Sequence, residues 1–171
     1  MSEFAYRDAV VADAASLARF AHDTWMATFG GLPYPADDLR EYLAAAYGEE
    51  VQRAELADPK VRYRLALRDA NIIGYSMMGE LKMPVEDQTG LELYRLYVDE
   101  SVKGAGIAPS LMQDCVDWAR ALGAKALYLG VWEDNHRAQR FYRRFGFEHY
   151  GEWQFMVGNH ADRDLIFRLA L

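Results

Sequence analysis

Residues 91–122 read LELYRLYVDESVKGAGIAPSLMQDCVDWARAL, and this stretch decides the fold. Its first part, Leu91 to Val98, is an apolar run with the aromatic and branched residues of a strand. Lys103-Gly104-Ala105-Gly106 then makes a glycine-bearing turn. Beyond it Leu111, Met112, Cys115, Val116, Ala119 and Leu122 recur at helical spacing, which predicts an amphipathic helix that Gly123 ends. A strand passing through two glycines into a helix start leaves backbone N–H groups uncovered at the positive end of a helix dipole. Such a turn suits a phosphate group.

Working outward, Ala126 to Trp132 is almost wholly apolar, as a strand covered on both faces is. Because a helix links it to the preceding strand, the two are expected to be parallel with a right-handed crossover. Toward the N-terminus, Val61–Arg68 and Ile72–Met78 read as strands joined at Asp69-Ala70-Asn71, a hairpin signal, and Leu81–Gly90 as a polar loop containing Pro84. Phe4–Val10 reads as a first strand. Asp13 is placed to cap a helix carrying Leu17, Phe20, Ala21, Thr24 and Thr28 on one face, stopped by Gly30-Gly31; a shorter helix spans about Asp37 to Tyr47. The intervening TWMATFGGLPYP suits a loop over a binding cleft. Toward the C-terminus, Asp134 or Asn135 caps a helix through Arg144, with Ala138, Phe141, Tyr142 and Phe145 on one stripe and Gly146 at its end. Glu148–Val157 and Asp164–Leu169 close the chain as an antiparallel pair. The expected class is mixed α/β (α+β): a mainly antiparallel sheet with a central parallel β-α-β crossover and flanking helices.

At 171 residues the chain is long enough to bury a sizeable core, and residues 1–171 are expected to form one domain. With 26 Asp and Glu against 19 Lys and Arg, a net charge of −7 repels nucleic acid and leaves a cationic acceptor easier to accommodate. The opening MSEFAYRDAV lacks the pattern of a secretion signal, and no stretch has the length and apolarity of a membrane span, so a cytoplasmic protein is expected. Cys115 stands alone, and His22, His136, His149 and His160 show no ligand spacing; neither a disulfide nor a metal site is expected.

Three nucleotide-site readings compete for the glycine turn. A P-loop fails, because Lys103 precedes its glycines. A dinucleotide fingerprint finds Pro109 where its third glycine belongs, although Glu133 stands roughly where the ribose acid would. The third reading fits better: Lys103-Gly-Ala-Gly-Ile-Ala108 resembles the Arg/Gln-x-x-Gly-x-Gly/Ala loop of the GCN5-related N-acetyltransferases, the GNAT superfamily, which cradles the pyrophosphate of acetyl-coenzyme A (acetyl-CoA). RLYVDESVKGAGIAPSLM is similar to that family's central strand, loop and helix, and NHRAQRFYRRFGF, residues 135–147, to its second signature. Lys103 departs from the usual Arg or Gln, but the resemblance implies that the backbone, rather than that side chain, would hold the phosphates.

The resemblance implies an enzyme using acetyl-CoA as cosubstrate. Backbone amides of Gly104, Ala105, Gly106, Ile107 and Ala108, with Lys103 beside them, would meet the pyrophosphate, and Pro109 fits the first helical turn without wasting a donor. Leu96 and Val98 would give main-chain contacts to pantetheine, with the Leu96 N–H polarising the acetyl carbonyl. Asn135 and Ala138 would contact the cofactor. Tyr142 would act as general acid toward the departing thiolate and Glu92 as general base toward the acceptor ammonium. Strand alternation places Glu92 on one face with Tyr94 and Leu96. Cys115, on the apolar face of its helix, reads as a core thiol rather than a nucleophile, so direct transfer in a ternary complex is expected. Arg95 reads as a structural ion-pair partner. Arg137, Arg140, Arg143 and Arg144 form either a contact for the cofactor's 3′-phosphate or a solvated face. The acceptor is expected to be a small primary amine, in a pocket built around Trp25–Tyr34 and Trp153–Asn159. HDTWMATFGGL has a fainter resemblance to the polyamine-acetylating branch. A peptide or protein amine fits the same framework, a non-catalytic acyl-CoA binder is the alternative, and a homodimer is left open.

Overall fold

The structure, a computed structural model, describes residues 3–171. In chain order the elements are β1 (Ala5–Asp8), α1 (Ala14–Phe29), α2 (Ala36–Tyr47), α3 (Glu49–Ala57), β2 (Arg62–Arg68), β3 (Asn71–Glu80), β4 (Gly90–Val98), α4 (Ile107–Ala121), β5 (Ala126–Trp132), α5 (His136–Arg144), β6 (Glu148–Val157) and β7 (His160–Ala170). The strands form one seven-stranded sheet in the order β1-β2-β3-β4-β5-β7-β6. Every neighbouring pair is antiparallel except β4 and β5, which run parallel and are joined through α4, the crossover expected from the sequence.

Two apolar layers sandwich this sheet. On one side Met112, Cys115, Val116 and Ala119 of α4 and Ala138, Phe141 and Tyr142 of α5 meet Leu93, Leu127, Leu129 and Phe167. On the other, Leu17, Ala21 and Trp25 of α1 and Tyr47 of α2 meet Tyr63, Leu65, Tyr75 and Met77. Ala126–Leu129 is buried on both faces, which is why that strand shows no polar alternation.

Local signals held at most joints. Asp69 and Ala70 both take positive φ, 50° and 66°, in the two-residue turn between β2 and β3. Asn135 caps α5, its side chain accepting from the Ala138 N–H at 3.2 Å. The expectation for Asp13 needs correcting: its carboxylate accepts from Val10 N–H and pairs with Arg7, so it closes the 3-10 turn Val11–Asp13 rather than capping α1. Residues 24–29 belong to two readings of the sequence, the helix that Gly30-Gly31 stop and the cleft loop; they are the last turns of α1, and only residues 30–35 form the connection. The helix α3 has no counterpart in the sequence reading.

Candidate active site

β4 and β5 pair only from Gly90↔Ala126 to Leu93↔Leu129 and then part. The cause lies on the other edge of β4, where the register to β3 slips between Met78↔Leu93 and Met77↔Arg95 and leaves Tyr94 as an extra residue. Such a bulge bends its strand and raises its twist, which carries the end of β4 away from β5. Beyond the bulge, Asp99 N–H donates to Ile73 O at 2.9 Å, one step past the Val98–Gly74 pair. Alternate residues of an antiparallel strand turn their N–H groups to the same neighbour. Those of Arg95 and Tyr97 therefore face β3, and those of Leu96 and Val98 face the gap that β5 has left.

The bulge also corrects a face assignment. Leu91, Leu93 and Leu96 all pack into the layer under α4 and α5, whereas Tyr94 packs on the opposite layer. Glu92 shares its face with Tyr94, as alternation requires, but not with Leu96. Simple period-two counting fails across an inserted residue.

The gap opens into one continuous cavity of about 910 Å³. At one end lies the glycine turn. Gly104 and Gly106 take φ of 88° and 82°, and Gly106 is the residue before the first turn of α4. Nothing lies within 4 Å of where a Cβ would sit on either, so both are open to the cavity side. Ile107 and Ala108 occupy the first helical turn, whose N–H groups have no intrahelical partner. Ala105 departs from expectation: its N–H is committed to Val102 O at 3.2 Å, and it does not line the cavity, whereas Lys103, Gly104, Gly106, Ile107, Ala108 and Pro109 do. Lys103 pairs with Glu100.

In the middle stand Asn135, the cap of α5, and Ala138 and Tyr142 on that helix, brought beside the β4 gap by the β5–α5 connection. The Tyr142 ring packs edge-on to Phe147 at 5.9 Å and beside Phe141 at 5.5 Å. Its hydroxyl makes no hydrogen bond with the described residues, and burial pushes its pKa above the ordinary tyrosine value, so it is held protonated. Cys115 is fully buried, and desolvation raises its thiol to about 11, which disfavours the thiolate a nucleophile needs.

Glu92 is 5% exposed and borders the same cavity. One carboxylate oxygen, Oε2, accepts from the N–H groups of Lys82 at 2.7 Å and Met83 at 3.1 Å. Desolvation outweighs those two bonds and raises its pKa. Arg95, also expected to be structural, is fixed by Tyr63 Oη at 3.1 Å, Ala46 O at 3.3 Å and Glu55 at 3.5 Å, with its guanidinium 4.7 Å from the Tyr47 ring centre. Of the basic patch, Arg137 and Arg144 border the cavity and Arg143 lies over Phe167.

The far end is aromatic and acidic. Trp25, Phe29, Tyr34, Trp132, Trp153 and Phe155 wall it, so both segments read as an acceptor pocket reach the cavity, with Trp132 beside them. The turn between β6 and β7 is tied to α2 by Asn159 N–H donating to Asp38 Oδ1 at 3.0 Å. Two acids here were not singled out from the sequence, Asp162 and Asp164, because only strand pairing turns them into the cavity. Asp162 accepts from Tyr34 Oη at 2.5 Å. Asp164 is 7% exposed, and burial, with Asp162 and Glu133 nearby, pushes its carboxyl up to about 7.

A splayed parallel strand pair, free amides at a helix start and a cavity joining them to a carboxylate-lined end are the parts that an acyl-transfer site of the coenzyme-A-binding type needs. The comparisons agree: residues 21–147 match the Acetyltransferase (GNAT) family, and the chain belongs to it. It is an acetyl-CoA-dependent N-acetyltransferase. Among curated relatives, an uncharacterized N-acetyltransferase of Lactobacillus delbrueckii subsp. lactis is 28% identical over 158 residues, 88% of each chain. The spermine/spermidine N(1)-acetyltransferase of Bacillus subtilis is 29% identical over 90 residues, 51% of this chain and 59% of the relative. Among solved structures, the PaiA N-acetyltransferase from Thermoplasma acidophilum in complex with coenzyme A has TM-score 0.80 at 19% identity, with 100% of both chains covered. No helix of the described residues is long and apolar enough to cross a membrane.

Proposed function

We propose that the protein transfers the acetyl group of acetyl-CoA directly to a small primary amine within a ternary complex, with residues 1–171 acting as one domain. The observation that carries this reading is the sharing of one cavity by the glycine loop, the opened backbone at Leu96 and Val98, the Tyr142 hydroxyl and the Glu92 carboxylate. In this reading the free amides of Gly104, Gly106, Ile107 and Ala108 hold the pyrophosphate. Asn135 and Ala138 border the pantetheine arm. The Leu96 N–H polarises the acetyl carbonyl.

The acceptor arrives as an ammonium of pKa about 10.4 and gives a proton to Glu92, directly or through water. Its lone pair then attacks the carbonyl carbon. As the C–S bond breaks, the electron pair passes to sulfur and Tyr142 donates its proton to the thiolate; the acceptor nitrogen then gives up its second surplus proton, through water, to the Tyr142 phenolate as the neutral amide forms. A buried, inert Cys115 gives no competing acyl carrier. The coenzyme A bound in the Thermoplasma structure and the naming of the Bacillus relative as a spermine/spermidine N(1)-acetyltransferase support a coenzyme A ester and an amine as the two substrates.

Release of free coenzyme A thiol from acetyl-CoA, measured over monoamines, diamines, amino acids and peptides, tests the proposal. Amine-dependent release above background hydrolysis is expected; tight acetyl-CoA binding with no release toward any amine makes the chain a non-catalytic binder. Glu92→Gln isolates the base. A raised carboxyl pKa means that the ionised, working form grows in as pH rises through that value, so kcat/KM of the parent climbs on its acid limb. Gln removes the limb and lowers the rate about 100-fold, within the usual range for general base catalysis. A variant with the parent's pH profile assigns the proton transfer elsewhere.

A further inference from the structure

Among the described residues, Asp164 is the one cavity acid whose burial is not explained by a partner. On β7 it stands in register between Trp132 of β5 and Trp153 of β6. It is 7% exposed, yet its carboxylate makes no hydrogen bond or ion pair with the described residues, and it borders the cavity. Its charged neighbours are engaged elsewhere. Asp162 accepts from Tyr34 and lies 3.3 Å from His160 Nε2. Arg163, the nearest cation in sequence, reaches Glu133 and Glu152 instead. Arg95 is spent on Tyr47, Tyr63, Ala46 and Glu55. A buried carboxylate without a cation is costly, because desolvation disfavours its charge.

Gly130 of β5 shapes the floor between this acid and Glu92. A Cβ there would lie 2.9 Å from Trp153 Nε1, 3.2 Å from Met83 Cε and 3.4 Å from Asp164 Oδ2. The missing side chain lets the indole and the carboxylate settle onto the strand. Trp153 Nε1 is itself buried without a hydrogen-bond partner. Met83 closes the other side, and its N–H is one of the two that fix Glu92. Two carboxylates thus face one cavity on either side of Gly130, with an aromatic wall beside them.

We propose that Asp164 binds a second cationic nitrogen of the acceptor, so that the acceptor is an aliphatic diamine or longer polyamine whose stem lies over Gly130 and whose near end reacts beside Glu92. The inference rests on the acetyltransferase reading for the reacting end alone. An ammonium supplies the missing counter-charge, and the rings of Trp132 and Trp153 offer cation–π faces to it. An α-amino acid would instead bring its own carboxylate to an acidic floor.

The test compares 1,4-diaminobutane with butylamine, the same stem with one charge fewer, in steady-state transfer and in calorimetric binding. The parent is expected to favour the diamine at least about tenfold in kcat/KM, the scale of one charged hydrogen bond. Asp164→Asn brings that ratio near one, with the loss in the KM of the diamine, and Asp164→Glu restores part of it. Thermal melting of each variant verifies folding. A parent without preference, or an Asn variant that keeps it, overturns the proposal. If no amine is acetylated, the catalytic reading fails, while diamine binding that weakens about tenfold in Asp164→Asn still upholds this subsite, and equal binding in the two proteins removes it.

Discussion

Tyr142→Phe lowers kcat about 100-fold and leaves the acetyl-CoA Kd within about twofold of the parent. The size follows from the low end of what a positioned general acid contributes. Selectivity of the effect follows from the surroundings: the ring is held by Phe141, Phe147 and the layer under α4, all of which a Phe ring keeps. The hydroxyl has no partner among the described residues, so its removal strands no buried donor or acceptor and Tm should not move. Burial keeps the phenol protonated through neutral pH, so the proton is present when sulfur leaves. Single-turnover measurement by rapid quench reads the chemical step even if product release limits kcat. An unchanged single-turnover rate takes Tyr142 out of the mechanism and returns it to the apolar stripe of α5.

The crossover was legible because its parts carry strong local signals. Ala126–Trp132 is too apolar for an exposed strand, and Gly104 and Gly106 sit where positive φ was needed. The helix α3 was not, because EEVQRAELA is short and mostly polar: Gln52 is its one fully buried residue, and Leu56 only packs at the edge of the core. Its work is polar and tertiary: Gln52 Nε2 donates to Ala46 O at 2.9 Å, and Tyr63 Oη donates to Gln52 Oε1 at 3.0 Å. Neither partner is predictable from spacing. The β4 bulge left no mark either, since an extra residue shows only against its partner strand, and it moved Leu96 to the opposite face from Glu92. Asp164 looks like an ordinary strand acid until β5 and β6 are placed on either side of β7. What the sequence carried was the glycine-loop end of the cavity, built from consecutive residues; the aromatic, acidic end is assembled from four strands and a helix and had to be seen folded.

Gly106→Val is the sharpest test of that cofactor end, with an expected rise of about 100-fold in the acetyl-CoA Kd, equivalent to about 2.7 kcal/mol. Two effects combine. A β-branched residue at φ 82° is strained by about 1–3 kcal/mol, which loosens the turn. The new side chain also projects into space that no protein atom within 4 Å occupies, the space proposed for the diphosphate, and blocks the amides of Gly106 and Ile107. Strain and obstruction are separated by Gly123→Val. Gly123 has φ 76° and the same open surroundings, but it ends α4 and does not border the cavity. Both variants should lose about 5 °C in Tm, since about 2–4 °C accompanies each kcal/mol at this chain length. Only Gly106→Val should lose acetyl-CoA, measured by calorimetry with the free protein. If the two weaken binding equally, strain alone is responsible and the loop is a fold element; if neither does, the diphosphate is held by other atoms and the cradle assigned to residues 104–108 is wrong.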